Sequence, residues 1–99
     1  MELTGKQKRF LRGLGHSLTS VVQMGKGGLD DGVVRAVNAA LLQHELVKVK
    51  MGSETPEDRH DVAAALADRT GGSIAQVLGR TILIYKRHPK EPKLVLPKQ

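Results

Sequence analysis

Residues 21–34 read VVQMGKGGLDDGVV, which is an apolar run, a Gly-x-x-Gly turn and the start of a helix. The turn consists of Gly25, Lys26, Gly27 and Gly28, so the backbone can adopt positive φ and approach another molecule without an intervening Cβ. Asp30 follows as a candidate N-cap for the next helix. A junction of strand, glycine turn and helix directs free backbone N–H groups and the positive end of a helix dipole outward, which suits a phosphate group.

This turn has two interpretations. KH modules use a GXXG loop to clamp backbone nucleotides of RNA, and on that interpretation the turn binds RNA. A tight turn whose glycines serve only the backbone geometry is the alternative. The motif alone does not separate the two, so the rest of the chain has to decide.

The composition limits the class of protein. The chain has 99 residues, of which 39% are hydrophobic, and with one Phe, one Tyr and no Trp its core must consist of Leu, Val, Ile and Ala. The absence of cysteine excludes disulfides and thiol nucleophiles and gives no sign of an oxidising compartment. No apolar stretch approaches the ~20 residues that a membrane span needs, and the polar amino terminus does not resemble a signal peptide. We therefore expect a cytoplasmic protein.

The charge is distributed unevenly along the chain. The formal net charge is +6, with basic residues gathered in residues 1–16 and 86–99 and acidic residues in residues 51–70. The folded chain should then have a positive and a negative side, which favours a polyanion, above all nucleic acid. An anionic membrane surface is the alternative, but no basic helix here carries the large aromatic anchors expected at such a surface.

Hydrophobic periodicity and capping signals predict the order α-β-α-β-α-β-β. The helices begin near residue 5, near residue 31 and at Thr55, and the strands cover residues 20–24, 46–51, 74–78 and 81–86. The strand–helix–strand unit predicts a right-handed crossover between parallel strands, and a hairpin at Gly79-Arg80 adds an antiparallel pair. The fold class is therefore α/β, with a mixed four-stranded sheet packed with three helices. We expect one domain over residues 1–99, in which residues 88–99 form a flexible basic tail.

Further candidate binding residues are the cations of the first helix, the second strand and the last strand. They are Lys6, Lys8, Arg9 and Arg12 opposite an apolar helix face, Lys48 and Lys50 on the outward face of the second strand, and Lys86 and Arg87 at the end of the last strand. Ordinary solvated side chains are the alternative for each set. Phe10 and Tyr85 are expected in the core.

Sequence motifs for catalysis and metal binding are missing. The glycine turn has neither Walker nor Rossmann spacing. The four histidines lie in separate predicted elements without the spacing of metal ligands. His44-Glu45 ends a helix and is interpreted as a cap. We expect no enzyme activity, no metal and no cofactor.

Four blocks of sequence occur in the order found in a known family. They are LGHSL at residues 14–18, VQMGKGGL at 22–29, HELVKVK at 44–50 and GRTILIYK at 79–86. Together they closely resemble the CRM domain, named for chloroplast RNA splicing and ribosome maturation, and a chain of about one such domain resembles the stand-alone bacterial YhbY-like proteins. One departure is Thr19-Ser20, where bacterial members often have a basic residue and proline.

The resemblance implies an α/β fold similar to the carboxy-terminal domain of bacterial translation initiation factor three. It also implies RNA binding at residues 25–28 and association with precursors of the large ribosomal subunit. The expected partners are structured ribosomal RNA and pre-ribosomal particles, with no membrane and a monomeric chain. Because single-strand binders stack bases on aromatic side chains, this aromatic-poor chain is expected to recognise RNA shape and backbone. An adaptor that contacts ribosomal proteins through the acidic third helix or the proline-containing tail is the alternative function.

Overall fold

The computed structural model describes residues 2–98, and within them the chain forms three helices and four strands. In chain order they are α1 (Gly5–Gly15), β1 (Val22–Met24), α2 (Asp31–His44), β2 (Leu46–Met51), α3 (Arg59–Thr70), β3 (Ser73–Leu78) and β4 (Thr81–Tyr85). The order predicted from the sequence is confirmed. The bounds of α2 and β2 agree with the prediction, whereas β1 begins two residues later than residue 20 and β4 ends before Lys86.

The strands form one mixed sheet in the order β1-β2-β4-β3. β1 is parallel to β2, and β4 is antiparallel to both β2 and β3. The glycine turn after β1, the loop after β2 and the β3–β4 turn therefore lie at the same end of the sheet, where Lys50 pairs with Thr81. This is called the glycine-turn end. The opposite end, where Leu46 pairs with Tyr85 and residues 86–98 begin, is called the tail end.

Each face of the sheet has its own apolar core. On one face α2 and α3 pack on the strands, and the buried residues are Val22, Met24, Val37, Leu41, Val47, Val49, Met51, Val62, Ala63, Leu66, Ile82 and Ile84. On the other face, Leu46, Ala75, Leu83 and Tyr85 of the sheet are covered by α1, the residues before it and the tail, which contribute Leu3, Leu11, Leu94 and Leu96. The predicted mixed four-stranded sheet with three helices is thereby confirmed.

Helix α1 begins at the predicted capping box. The Thr4 hydroxyl accepts the Gln7 N–H at 3.1 Å, and the Gln7 side chain accepts the Thr4 N–H at 3.0 Å. The expectation that Phe10 belongs to the core is wrong, because its side chain is 38% exposed. The helix packs on the sheet through Leu11 and Gly15, and this contact leaves Phe10 at the margin of the buried face.

Helix α3 begins later than Thr55, which corrects the predicted start. Asp58 is the N-cap, and its carboxylate accepts the His60 N–H at 2.9 Å. Thr55 is buried instead, and its hydroxyl donates to the carbonyl oxygens of Met24 and Gly25 at 3.3 and 3.1 Å. A residue that resembles an N-cap in the sequence therefore joins the loop after β2 to the end of β1.

The tail is extended along the face that α1 covers, and Glu45 holds its start. Glu45 is the C-cap of α2, as the sequence indicated, with the positive φ of 64°. It is 1% exposed, and its carboxylate accepts backbone N–H groups from His88, Lys93 and Leu94. Farther along, the Gln7 side chain donates to the carbonyl oxygen of Pro97 at 3.1 Å. The flexibility of residues 88–99 stays a prediction, but these contacts attach the tail at both its ends.

Candidate nucleic-acid interface

The glycine turn closes on itself and presents one of its sides to solvent. The Gly28 N–H donates to the carbonyl oxygen of Gly25 at 3.0 Å. Gly25, Lys26 and Gly27 are exposed, whereas Gly28 is buried with φ of 65°. A Cβ at Gly28 would lie 2.1 Å from the Oε1 atom of Glu57, so glycine is required there. The carbonyl oxygen of Gly25 already accepts bonds from Gly28 and Thr55, so Lys26 and Gly27 offer the exposed backbone that is best placed to meet a ligand.

The loop after β2 fixes the position of this turn. The Gly52 N–H donates to the carbonyl oxygen of Met24 at 2.7 Å, and the Thr55 hydroxyl bonds the next carbonyl, that of Gly25. Arg80, from the β3–β4 turn, donates through Nε to the carbonyl oxygen of Gly52 at 3.1 Å. Three segments of the glycine-turn end are thus joined by hydrogen bonds, which fix the turn relative to the loop after β2 and the β3–β4 turn.

Carboxylates occupy the start of α2, which corrects one part of the sequence-based interpretation. Asp30 is the N-cap, as predicted, and its Oδ1 accepts the Val33 N–H at 2.8 Å. Asp31 forms an ion pair with Arg69. Glu57 accepts the Leu29 N–H through Oε2 at 3.0 Å. The start of α2 is exposed as expected, but carboxylates already lie at the positive end of its dipole, which makes it less favourable for a phosphate than the sequence indicated.

Several cations gather beside the turn on the sheet face that carries α1. Lys48 and Lys50 alternate with buried residues of β2 and share the face of Leu46. Lys50 is exposed and pairs with Gln23 of β1, directly before the glycine turn. Lys48, Arg12 and His16 line a shallow cavity of about 100 Å³ together with Thr81. His16 was not among the predicted binding residues, and its signals in the sequence are its place just after a basic helix and within the LGHSL block.

The remaining predicted cations lie away from the glycine-turn end. Lys86 and Arg87 follow β4 at the tail end, where the Lys86 ammonium donates to the Thr70 carbonyl at the end of α3 at 2.8 Å. Lys6 and Lys8 are exposed at the start of α1, next to the residue that contacts Pro97. Arg9 is exposed on the same helix. The structure therefore divides the predicted cations between the two ends of the sheet.

Basic side chains dominate one face of the sheet, whereas the other face carries both signs of charge. Helix α1 lies on the first face and has four cations and no carboxylate, and α3 lies on the other face with Arg59 and Arg69 as well as Asp61 and Asp68. Glu57 also belongs to the segment in which acidic residues gather, and it lies under the glycine turn. An approaching polyanion would therefore meet favourable charge on the α1 side of the glycine-turn end.

No group of three or more His, Asp or Glu side chains within residues 2–98 is placed to hold a metal ion. No helix of the range is long and apolar enough to cross a membrane.

Fold and surface together define a small basic α/β domain with an exposed glycine turn. The family model of the CRS1 / YhbY (CRM) domain matches residues 3–86. The chain belongs to this family, and the resemblance noted in the sequence is confirmed.

Relatives of similar length support the assignment. The chain is 42% identical to the "Probable RNA-binding protein YqeI" of Bacillus subtilis, with 96% of this chain and 99% of that protein covered. It is 37% identical to a protein of Haemophilus influenzae named "RNA-binding protein", with 98% and 97% covered. The solution structure of a hypothetical protein from Staphylococcus aureus matches with a TM-score of 0.82 at 35% identity, covering 96% of this chain and 99% of that one. The two named relatives are described as RNA-binding proteins and not as enzymes.

Proposed function

We propose that the chain binds folded RNA through its phosphates at the glycine-turn end of the sheet. The exposed backbone of Lys26 and Gly27 would set the geometry of contact, and Lys48, Lys50 and Arg12 would supply the attraction. The observation that carries this proposal is the position of the exposed turn beside cations of β2 and α1, on the sheet face opposite α2 and α3. Membership in a family whose relatives are named RNA-binding proteins supports it.

Recognition of the RNA backbone is consistent with the small number of aromatic side chains in this protein. Tyr85 is buried in the core under α1, so it cannot stack on a base. Phe10 is partly exposed and is the one aromatic side chain among the described residues that could meet RNA. Sequence-tolerant binders of single strands usually stack several bases on aromatic side chains. Folded RNA, recognised by shape and phosphates, is therefore the better match to this surface.

We propose that the bound RNA is precursor ribosomal RNA of the large subunit and that a monomeric chain binds it in the cytoplasm. The resemblance to stand-alone bacterial members of the family is the basis for this choice. Crosslinking in bacterial cells, followed by sequencing of the attached RNA, tests it directly. Reads concentrated in large-subunit ribosomal RNA and its flanking precursor sequences are expected, and a spread over unrelated messenger RNA would contradict this part of the proposal.

The phosphate mechanism is tested by the salt dependence of binding to a folded RNA hairpin. The logarithm of affinity should fall steeply with the logarithm of salt concentration, because each neutralised phosphate releases counterions. Lys26→Ala should weaken binding to different hairpins alike and reduce the salt slope by about 1. Lys90→Ala removes the same charge at the tail end and serves as the matched control, with the slope expected unchanged. An affinity that does not change with salt would refute the mechanism.

A further inference from the structure

A second cavity lies at the tail end of the molecule, between α2 and the segment that follows β4. Its volume is about 230 Å³. The residues that line it are Asn38, Leu41, Leu42, Lys86, Arg87, His88 and Pro89. Within residues 2–98 this lining contains basic, amide and apolar side chains and no carboxylate. It is separate from the glycine turn, which lies at the opposite end of the sheet.

The lining combines two kinds of chemistry. Leu42 is 56% exposed and supplies an apolar surface, and Pro89 lies in the same lining. Asn38 is one helical turn before Leu42, so its amide, which both donates and accepts, borders the apolar surface. Lys86 and Arg87 add positive charge. An apolar surface, an amide and cations together match a nucleotide, which has a flat ring, hydrogen-bonding edges and a phosphate.

The cationic side of this cavity is already held in place. The Lys86 ammonium donates one bond, to the carbonyl oxygen of Thr70, and this leaves its other donors available. The His88 N–H is bound by the buried Glu45 carboxylate at 2.8 Å. Nδ1 of His88 accepts the N–H groups of Lys90 and Glu91 at 3.1 and 2.9 Å. Such prior ordering lowers the entropy cost of binding a ligand.

We infer that this cavity binds an unpaired nucleotide of the RNA that the chain holds. The inference rests on the proposed function for the identity of the macromolecule, but the cavity and its chemistry are independent of the glycine turn. Arg87 and Lys86 contact the phosphate, and the base lies against Leu42. The molecule is 38 Å long in its largest dimension. With sites at both ends of the sheet, the chain joins a folded RNA segment to a neighbouring single-stranded one.

The direct test is a titration of ¹⁵N-labelled protein with adenosine 5′-monophosphate, followed by NMR. We expect saturable shifts of the amide signals of Leu42, Arg87 and His88, and weaker effects from adenosine alone or inorganic phosphate alone. Arg87→Glu should raise the dissociation constant about tenfold, because a charge-assisted contact is lost and a repulsive one introduced. Lys90→Glu makes the same change of charge in the tail, outside the cavity lining, and should change the dissociation constant by less than about twofold.

The RNA version of the test compares a blunt hairpin with the same hairpin carrying a single-stranded 3′ extension. Arg87→Glu should abolish the gain in affinity that the extension provides and leave blunt-hairpin binding unchanged. Lys26→Ala should weaken both RNAs and leave the titration with the mononucleotide unaffected. Equal effects of Arg87→Glu and Lys90→Glu would overturn the inference, as would shifts produced equally well by phosphate alone. Failure of the proposed function would show separately, as absent hairpin binding with the mononucleotide titration intact.

Discussion

The Oε1 atom of Glu45 accepts the backbone N–H of Lys93 at 2.7 Å, which joins the end of α2 to a residue 48 positions later. The same carboxylate accepts the N–H groups of Leu94 and His88, both at 2.8 Å. Burial by itself raises the pKa of Glu45, but these three donors and the nearby His88 outweigh burial, and the pKa lies below its ordinary value of 4.5. The charged form of Glu45 is therefore the one that anchors the tail.

The anchoring carboxylate predicts acid sensitivity of the fold. Because the pKa of Glu45 is lower in the folded state than in the unfolded state, its charge stabilises the fold above the unfolded value. That stabilisation is lost as pH falls below about 4.5 and through the lower folded pKa. Glu45→Gln should reduce the free energy of unfolding at pH 7 by about 1–3 kcal/mol and flatten its decline in acid. Urea unfolding between pH 7 and pH 3 measures both effects.

Glu91→Gln is the matched control for this prediction. Glu91 lies in the same tail with an exposed side chain, so the substitution removes a carboxylate that holds nothing buried. Its effect on unfolding should stay within about 0.5 kcal/mol. Hydrogen exchange at the amide groups of Lys93 and Leu94 should become faster in Glu45→Gln only. Equal behaviour of the two variants would show that the carboxylate of Glu45 does not hold the tail.

Two glycines of the turn should differ in the cost of substitution by alanine. Gly28 has φ of 65°, and a Cβ there would lie 2.1 Å from Glu57 Oε1. Gly28→Ala should therefore cost about 1–3 kcal/mol of unfolding free energy, through backbone strain and displacement of the Glu57 side chain. At Gly27 the nearest atom to a Cβ is Asp30 Oδ2 at 3.5 Å, an ordinary contact. Gly27→Ala should stay within about 0.5 kcal/mol of the parent chain.

Thermal and urea unfolding of the two variants check this pair, and RNA affinity adds a second measurement. Since Gly27 is exposed and Gly28 is buried, a loss of RNA affinity in Gly27→Ala at unchanged stability would locate the contact on the outer side of the turn. If the Gly28→Ala variant were as stable as the Gly27→Ala variant, the Glu57 side chain would be able to move away without cost, and the prediction would be wrong.

The fold was predictable because its signals are local. The alternation of β2, the capping box at Thr4 and the glycines that end helices each specify an element within a few residues. The parallel crossover and the hairpin then leave few possible arrangements of four strands. The sequence could not show which residues at the margin of an apolar helix face are buried against the sheet. The exposure of Phe10 depends on the contact of Leu11 and Gly15 with the sheet, which no local pattern contains.

The candidate site was predictable only in part, for the same reason. The exposed part of the glycine turn could be located from the motif, but the bond between Leu29 and Glu57 spans 28 positions and brings a carboxylate under the turn. Thr55 has the pattern of an N-cap, yet its hydroxyl bonds residues about 30 positions earlier. The division of the cations between two ends of the sheet follows from strand direction, which assigns Lys86 to the end opposite Lys26.

Helix α1 offers a last prediction, which tests its packing on the sheet. A Cβ at Gly13 would meet no atom within 4 Å, and the residue is exposed inside the helix. Gly13→Ala should therefore raise the free energy of unfolding by about 0.5–1 kcal/mol, because alanine loses less backbone entropy on folding. A Cβ at Gly15 would lie 2.8 Å from a methyl group of Leu83, which is only 2% exposed. Gly15→Ala should lower the same free energy by about 1–2 kcal/mol, since the core under α1 must move.

Urea unfolding of both variants at pH 7 measures the difference in sign. The two substitutions add the same methyl group two positions apart on one helix, so helix propensity alone would stabilise both. Changes of opposite sign in the free energy of unfolding would establish that α1 packs closely on the sheet at Gly15 and faces solvent at Gly13. Stabilisation by Gly15→Ala would instead mean that α1 lies farther from Leu83 than in the structure. The cavity lined by Arg12, His16 and Lys48 would then have a different shape.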